Sequence, residues 1–308
     1  MSTAIGKIST TVRHLSRLYG LRLGFAIGAW FAPEATMRRA ADLFCTPFAS
    51  SRRRALAAPT LDAREEILHV DGHAIACYVW GEPREQPYVL FAHGWSSHGT
   101  RVAKWLPALR AAGYAVVAFD QLGHGRSEGR LATLPDFTHH LHAVGMYYGP
   151  AAAAIGHSLG GAATLLAMAR GLRAERAVLI APAADPVAAV KRFARFLWVG
   201  EDLCRRMFAY FEARIGISFD SQQAHRNAPS IAQPALIVHD LGDKEVPWAE
   251  GERYARYWPD SRLLTTQGLG HNRIADDQTV IAAALRFLRG EAVGDKVVSS
   301  ANLPYGIA

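Results

Sequence analysis

Ser158 stands in Gly156-His157-Ser158-Leu159-Gly160-Gly161, between an apolar stretch and a helix-like one. A serine hydroxyl is a weak nucleophile. To attack a carbonyl it needs a base that takes its proton and a third group that holds the base. His271, in Gly268-Leu269-Gly270-His271-Asn272, and Asp243, in Asp243-Lys244-Glu245-Val246-Pro247, are of the types those roles demand. Each follows an apolar run, as Ser158 does. Gly-x-Ser-x-Gly at the end of a strand makes a turn so sharp that the serine adopts a strained backbone and presents its hydroxyl. The helix that starts beneath it favours developing negative charge. His93-Gly94-Trp95 follows another apolar run, so the backbone amides of Trp95 and Leu159 are the expected oxyanion donors. Asp240 and Asp185 are the competing choices for the carboxylate.

These residues need a scaffold that brings strand ends together. From about residue 66 the chain supplies one. Residues 67–70 and 74–80 alternate around Asp71-Gly72, the pattern of an antiparallel hairpin. Apolar runs at 88–92, 115–119, 151–155, 177–180, 234–239 and 262–266 read as buried strands. Helical patterns lie at 101–112, 137–148, 159–170, 248–257 and 279–289. Alternating strands and helices predict an α/β fold, a mostly parallel sheet with helices on both faces and ligands beyond the strand ends. One interval, about 184–233, holds no convincing strand. Helices predicted at 187–198 and 201–215 make it a cap inserted between core strands.

These motifs together resemble the α/β-hydrolase superfamily over about residues 65–290. They are His93-Gly94, Asp120-x-x-Gly123-His124-Gly125-x-Ser127, Gly156-x-Ser158-x-Gly160, Asp243-x-x-Val246-Pro247 and Gly270-His271. The order Ser158, Asp243, His271 is that of this superfamily. The resemblance implies a triad with Ser158 as nucleophile, His271 as base and Asp243 as its partner. Asp243 has the motif spacing before Val-Pro. Asp240 stands where similar proteins often carry glycine. Ser158 disfavours the branches with an aspartate nucleophile, and Trp95-Ser96 replaces the glycine-rich oxyanion loop of another esterase branch. The implied function is a serine hydrolase that cleaves a carboxylic ester of a small or lipid-like molecule. Thioester, amide or carbon–carbon cleavage and acyl transfer are alternatives on the same fold. A non-catalytic interaction protein on a hydrolase scaffold is the reading from a different class. No cofactor and no metal are expected.

Residues 1–60 form a separate basic, helical appendage before a main domain at 61–308. They hold nine basic side chains against two acidic ones, while the rest of the chain has 25 of each sign. The formal charge of +7 is therefore carried by the appendage. A basic groove across the main domain, and with it nucleic-acid binding, is not expected. Residues 18–32 are apolar apart from Arg22 and too short to span a bilayer. Gly20, Gly24 and Gly28 make a smooth helical strip, and Pro33 starts a second helix with Met37, Ala41 and Phe44 on one side. Three readings stand open for 18–33: packing on the main domain or a second subunit, peripheral membrane contact, or a cleaved signal. The scattered Cys45, Cys77 and Cys204 suit a reducing compartment and give no disulfide framework or zinc site. The expected location is the cytoplasm, with membrane association following only from the lipid-contact reading of 18–33.

Other polar residues have plainer readings. His124 is a brace in its turn, and His157 packs beside the nucleophile. His139, His140 and His142 form a solvated helix face. The Trp95 ring is a candidate wall of an acyl pocket. His225 and the aromatics Phe193, Phe196, Trp198, Phe208, Tyr210 and Phe211 read as cap packing, with substrate lining the alternative. The tail after Glu291 reads as polar and loosely ordered.

Overall fold

The computed structural model describes the backbone of residues 2–297 and the side chains of residues 16–297. The elements begin with α1 (Ser2–Phe31), α2 (Pro33–Phe44), α3 (Ala49–Ala57), β1 (Arg64–Val70), β2 (His73–Trp80) and β3 (Tyr88–Ala92). There follow α4 (Leu106–Ala111), β4 (Ala115–Phe119), α5 (Leu134–Tyr148), β5 (Ala153–His157), α6 (Leu159–Ala169) and β6 (Ala177–Ile180). The chain continues through α7 (Pro186–Phe196), α8 (Glu201–Ile215), α9 (Ala224–Asn227) and β7 (Ala235–Asp240). It ends with α10 (Trp248–Tyr257), β8 (Ser261–Thr266), α11 (Gly270–Arg273) and α12 (Gln278–Leu288).

The strands form one sheet in the order β1-β2-β4-β3-β5-β6-β7-β8. β1, β2 and β4 are joined antiparallel, and β3 to β8 run parallel. Every residue of β3, β4, β5, β6 and β7 is buried, which is why these strands are apolar on both faces. Alternate side chains feed two cores. Leu90, Val117 and Ile237 face α5, α6 and α10, while Val89, Val116 and Val238 face α4 and α12. The α/β architecture with helices on both faces is thus the one the alternation predicts.

Two elements differ in detail. The helix expected at 101–112 is a 3-10 turn over Gly99–Lys104 followed by α4, because Pro107 can open a helix but not continue one. The strand expected at 151–155 starts at Ala153, since Ala151 makes only an isolated bridge to Ala174, and runs on to His157. It therefore ends directly at Ser158. Beyond Glu291, Asp295 exchanges backbone hydrogen bonds with Leu263, so the tail is tied down to that point. The remainder of the expected polar tail, 298–308, lies outside the described residues.

The chain divides into two units. One takes α1, α2 and residues 186–221; the other takes residues 46–185 and the chain from Gln222 onward. Residues 46–60, assigned to the appendage from sequence, thus belong with the sheet. In the helical unit, the Phe44 ring lies 5.1 Å from Phe193 and 5.7 Å from Phe211. The Arg22 guanidinium donates to the Phe196 carbonyl at 2.7 Å and lies 4.6 Å over the Phe196 ring. Glu34 pairs with Arg206 and Asp42 with Arg214. Met37 and Ala41 are buried, as their spacing predicts. Among the described residues, no helix is long and apolar enough to cross a membrane.

Candidate active site

β5 delivers Ser158 at its end, and α6 begins at the next residue. Ser158 has φ 54° and ψ −120°, a conformation that costs a non-glycine residue energy and turns its side chain outward. The glycines make the turn sterically possible. A Cβ on Gly156 would fall 2.5 Å from the Gly160 carbonyl oxygen, and one on Gly160 would fall 2.3 Å from that of Ala92.

The loop after β8 brings His271 to the serine. Ser158 Oγ donates to His271 Nε2 at 2.9 Å, and His271 Nδ1 donates to Asp243 Oδ2 at 2.7 Å. His271 and Asp243 are both buried. Asp243 Oδ1 accepts the amides of Glu245 and Val246. Burial pulls the Asp243 carboxyl upward. The His239 and His271 side chains and the Val246 amide outweigh that and hold it well below the usual range. Asp243 is ionised and can keep His271 in the tautomer that leaves Nε2 free to accept.

The other two carboxylates are occupied elsewhere. Asp240 accepts the Gly242 amide, the Thr266 hydroxyl and the Leu269 amide, and so shapes the loops that carry Asp243 and His271. Asp185 pairs with Arg253 at 3.1 Å.

The expected oxyanion donors flank the serine. A Cβ on Gly94 would stand 3.0 Å from Ser158 Cβ, so the backbone at Gly94 runs directly past the serine. Leu159 opens α6, where the first N–H groups lack intrahelical acceptors. Among the described residues neither the Trp95 nor the Leu159 amide donates a hydrogen bond.

Three imidazoles fix this frame. His93 Nδ1 donates to the Gly94 carbonyl at 2.7 Å, and its Nε2 accepts the Gln121 amide. The Gly94 carbonyl and the Trp95 amide share one planar peptide and point in opposite directions. Holding the carbonyl therefore aims the amide. His124 Nδ1 donates to the Leu122 carbonyl, and its Nε2 accepts the Ser96 amide at 3.0 Å. His157 Nε2 donates to the His271 carbonyl at 2.9 Å. Burial pushes His93, His124 and His157 each down to about 3, so all three are neutral at ordinary pH, as the amides accepted by His93 and His124 require. His239 lies behind Asp243, with Nε2 3.0 Å from the Val246 carbonyl and 3.4 Å from Asp243 Oδ2. Its Nδ1 is buried with no partner among the described residues.

A cavity of about 240 Å³ opens onto Ser158, lined by Trp95, His98, Arg101 and His271 among others. Phe48, Ser51 and Arg54 line it too, although sequence reasoning gave residues 46–60 no part in the site. The Arg52 guanidinium donates to the Ser127 and Gly129 carbonyls, and the Phe48 amide donates to Ser96 Oγ, strapping α3 to the site loops. Nothing in the local pattern Ala-Ser-Ser-Arg-Arg-Arg-Ala-Leu-Ala signals this, because the acceptors lie more than 40 residues away.

Trp95 lines the cavity, and its ring stacks on Phe137. Of the helical histidines expected on a solvated face, His139 is exposed and pairs with Asp71, but His140 is buried and contacts the Asp136 carbonyl, one turn back along the helix. Phe193 and Phe211 pack on Phe44, Phe208 packs on Phe219, and His225 lies against Tyr257.

Comparison with known proteins agrees with this architecture. A family model described as serine aminopeptidase, S33, matches residues 83–209, and one described as TAP-like protein matches residues 212–296. Monoglyceride lipase of Rattus norvegicus is 31% identical over 133 residues, 40% of this chain, and that of Homo sapiens 30% over the same length. The alignment covers 44% of each of these relatives, so less than half of their length is matched. A hydrolase from Pseudomonas aeruginosa superposes with a TM-score of 0.59 at 19% identity, covering 75% of this chain and all of that one. The esterase RhEst1 from Rhodococcus superposes with a TM-score of 0.55 at 19% identity, covering 74% of this chain and 99% of that one.

Proposed function

We propose that this chain, a member of the α/β-hydrolase superfamily, is a serine hydrolase that cleaves a carboxylic ester through an acyl-enzyme on Ser158. The observation that carries the reading is the chain of hydrogen bonds from Asp243 through His271 to Ser158 Oγ, beside two unengaged backbone amides. His271 Nε2 takes the hydroxyl proton as Oγ attacks the ester carbonyl. Asp243 stabilises the imidazolium that forms. The Trp95 and Leu159 amides hold the oxygen that becomes negative. Collapse of the tetrahedral adduct expels the alcohol, which takes its proton from His271. Water, deprotonated by His271, then attacks the acyl-enzyme and releases the acid.

The substrate in this reading is a lipid-like ester with a medium acyl chain. Similarity to the two monoglyceride lipases supports it, as do Phe48 and Trp95 in the cavity wall. The test is hydrolysis of p-nitrophenyl esters from acetyl to palmitoyl by wild type and Ser158→Ala. Wild-type turnover should peak at one intermediate chain length. Ser158→Ala should lose at least ~10³-fold while its folding is unchanged. Intact turnover in that variant would sink the assignment.

The family description as a serine aminopeptidase gives the amide alternative its specific support. Release of p-nitroaniline from an aminoacyl p-nitroanilide, with no ester turnover, would move the reading to a peptidase. Failure of a fluorophosphonate to label Ser158 in folded wild type would favour the non-catalytic scaffold.

A further inference from the structure

Tyr19, Leu23, Ile27 and Trp30 follow one another at spacings of four, four and three along α1, which places them on one face of the helix. All four are exposed, Trp30 to 88%, and neighbouring Phe31 is exposed to 84%. Tyr19, at one end of the strip, lies edge-on to Trp198 with ring centroids 5.7 Å apart, and the opposite side packs on α2. Phe25 is 2% exposed, and a Cβ on Gly28 would fall 2.6 Å from Thr36 Oγ1 of α2. α1 therefore buries one face and holds its largest apolar side chains in water on the other. A contiguous exposed apolar strip of this kind marks an interaction surface.

Charge decides between occupants. α1 contains no acidic residue. Residues 1–45 hold six basic side chains and two acidic ones, and those two, Glu34 and Asp42, are engaged by Arg206 and Arg214. A second copy laid against this face would bring the same net positive charge of this segment against itself. An anionic bilayer would pair them and also accept the apolar strip. Tyr and Trp, which flank Leu23 and Ile27 here, are the side chains that favour the level of lipid headgroups.

We propose that α1 docks this protein on anionic lipid surfaces. It lies in the plane of the interface with Leu23, Ile27, Trp30 and Phe31 inserted and the basic residues at the headgroups. This holds whether or not the hydrolase reading does.

The test is sedimentation of the full chain with phosphatidylcholine vesicles and with vesicles containing 30% phosphatidylglycerol. The wild type should bind the anionic vesicles at least ~10-fold more tightly than the neutral ones, with binding weakened by salt. Ile27→Glu combined with Trp30→Glu should lose at least ~10-fold of that binding. The side chains are exposed, so thermal stability and hydrolysis of a water-soluble ester should be unchanged. Two results would overturn the proposal. One is equal binding by wild type and the double variant. The other is no binding to anionic vesicles together with a concentration-dependent dimer, seen by light scattering, that the double variant abolishes. The second would give the face to another copy of this chain.

Discussion

Asp243 and Asp42 each meet a basic side chain, and the surroundings of the two contacts are opposite. The Asp243 and His271 side chains, 2.7 Å apart, are 0% and 6% exposed, and two backbone amides complete the carboxylate. The Asp42 and Arg214 side chains, 3.3 Å apart, are 55% and 47% exposed. Water stands ready to replace either partner of the second pair and neither of the first. In the sheet unit, polar groups hold the geometry because breaking one strands a buried partner. In the helical unit, apolar contacts such as Phe44 on Phe193 and Phe211 hold the helices, and the ion pairs only decorate them.

The sharpest way to test that contrast within the sheet unit is to change its two neighbouring carboxylates one at a time. Asp243→Asn keeps size and shape but lets His271 settle in the wrong tautomer. Turnover should fall by ~10³–10⁴-fold, with thermal stability little changed in comparison. Asp240→Asn leaves the bond from His271 to Asp243 in place. It sets an amide NH₂ among the Gly242, Thr266 and Leu269 donors and should cost about 2 kcal/mol of stability with a turnover loss under ~10-fold. Denaturant unfolding and ester kinetics on both variants decide it. A larger kinetic loss for Asp240→Asn would reverse their roles.

How much of this was legible follows from where the information lies in the chain. Ser158, Asp243 and His271 each sit at the end of an apolar strand in a short motif, so type, spacing and order were enough to bring them together on paper. The break before α4 was missed, although Pro107 is a local signal that could have shown it. The role of α3 was not legible. Arg52 matters because of the Ser127 and Gly129 carbonyls, and no local pattern records contacts 75 and 77 residues away. The helical appendage lies between these cases. Its apolar spacing announced helices with one buried side, but the partners of α2 lie in α7 and α8, about 150–170 residues further on. Sequence gave His93 and His157 as motif members beside the nucleophile. Their aim at the Gly94 and His271 carbonyls needed coordinates.

The buried imidazoles carry the contrast into pH. His93, His124 and His157 sit near 3 in the fold and near the ordinary ~6.5 when unfolded. Above about pH 7 both states are neutral and these residues give no pH dependence. As pH falls through 6.5 the unfolded chain takes up protons that the fold refuses, so stability is lost. The combined loss should be on the order of 4 kcal/mol by pH 5.5. Thermal unfolding between pH 8 and 5.5 measures it, and His124→Gln should remove about one third of the contribution of these three. A melting temperature flat across that range would mean these imidazoles accept protons in the fold.

The smallest effect belongs to the exposed pair. Asp42→Ala removes a carboxylate that water and salt already screen, so the loss should be under ~0.5 kcal/mol. Phe44→Ala, two residues along the same helix, removes ring contacts with Phe193 and Phe211 and should cost about 2 kcal/mol. The two substitutions act on one helix of one unit, so differences in folding background cancel between them. Urea unfolding monitored in both variants gives the ratio directly. If Asp42→Ala costs as much as Phe44→Ala, the ion pairs to α8 are structural in their own right. The helical unit would then be held by the same kind of interaction as the site around Asp243.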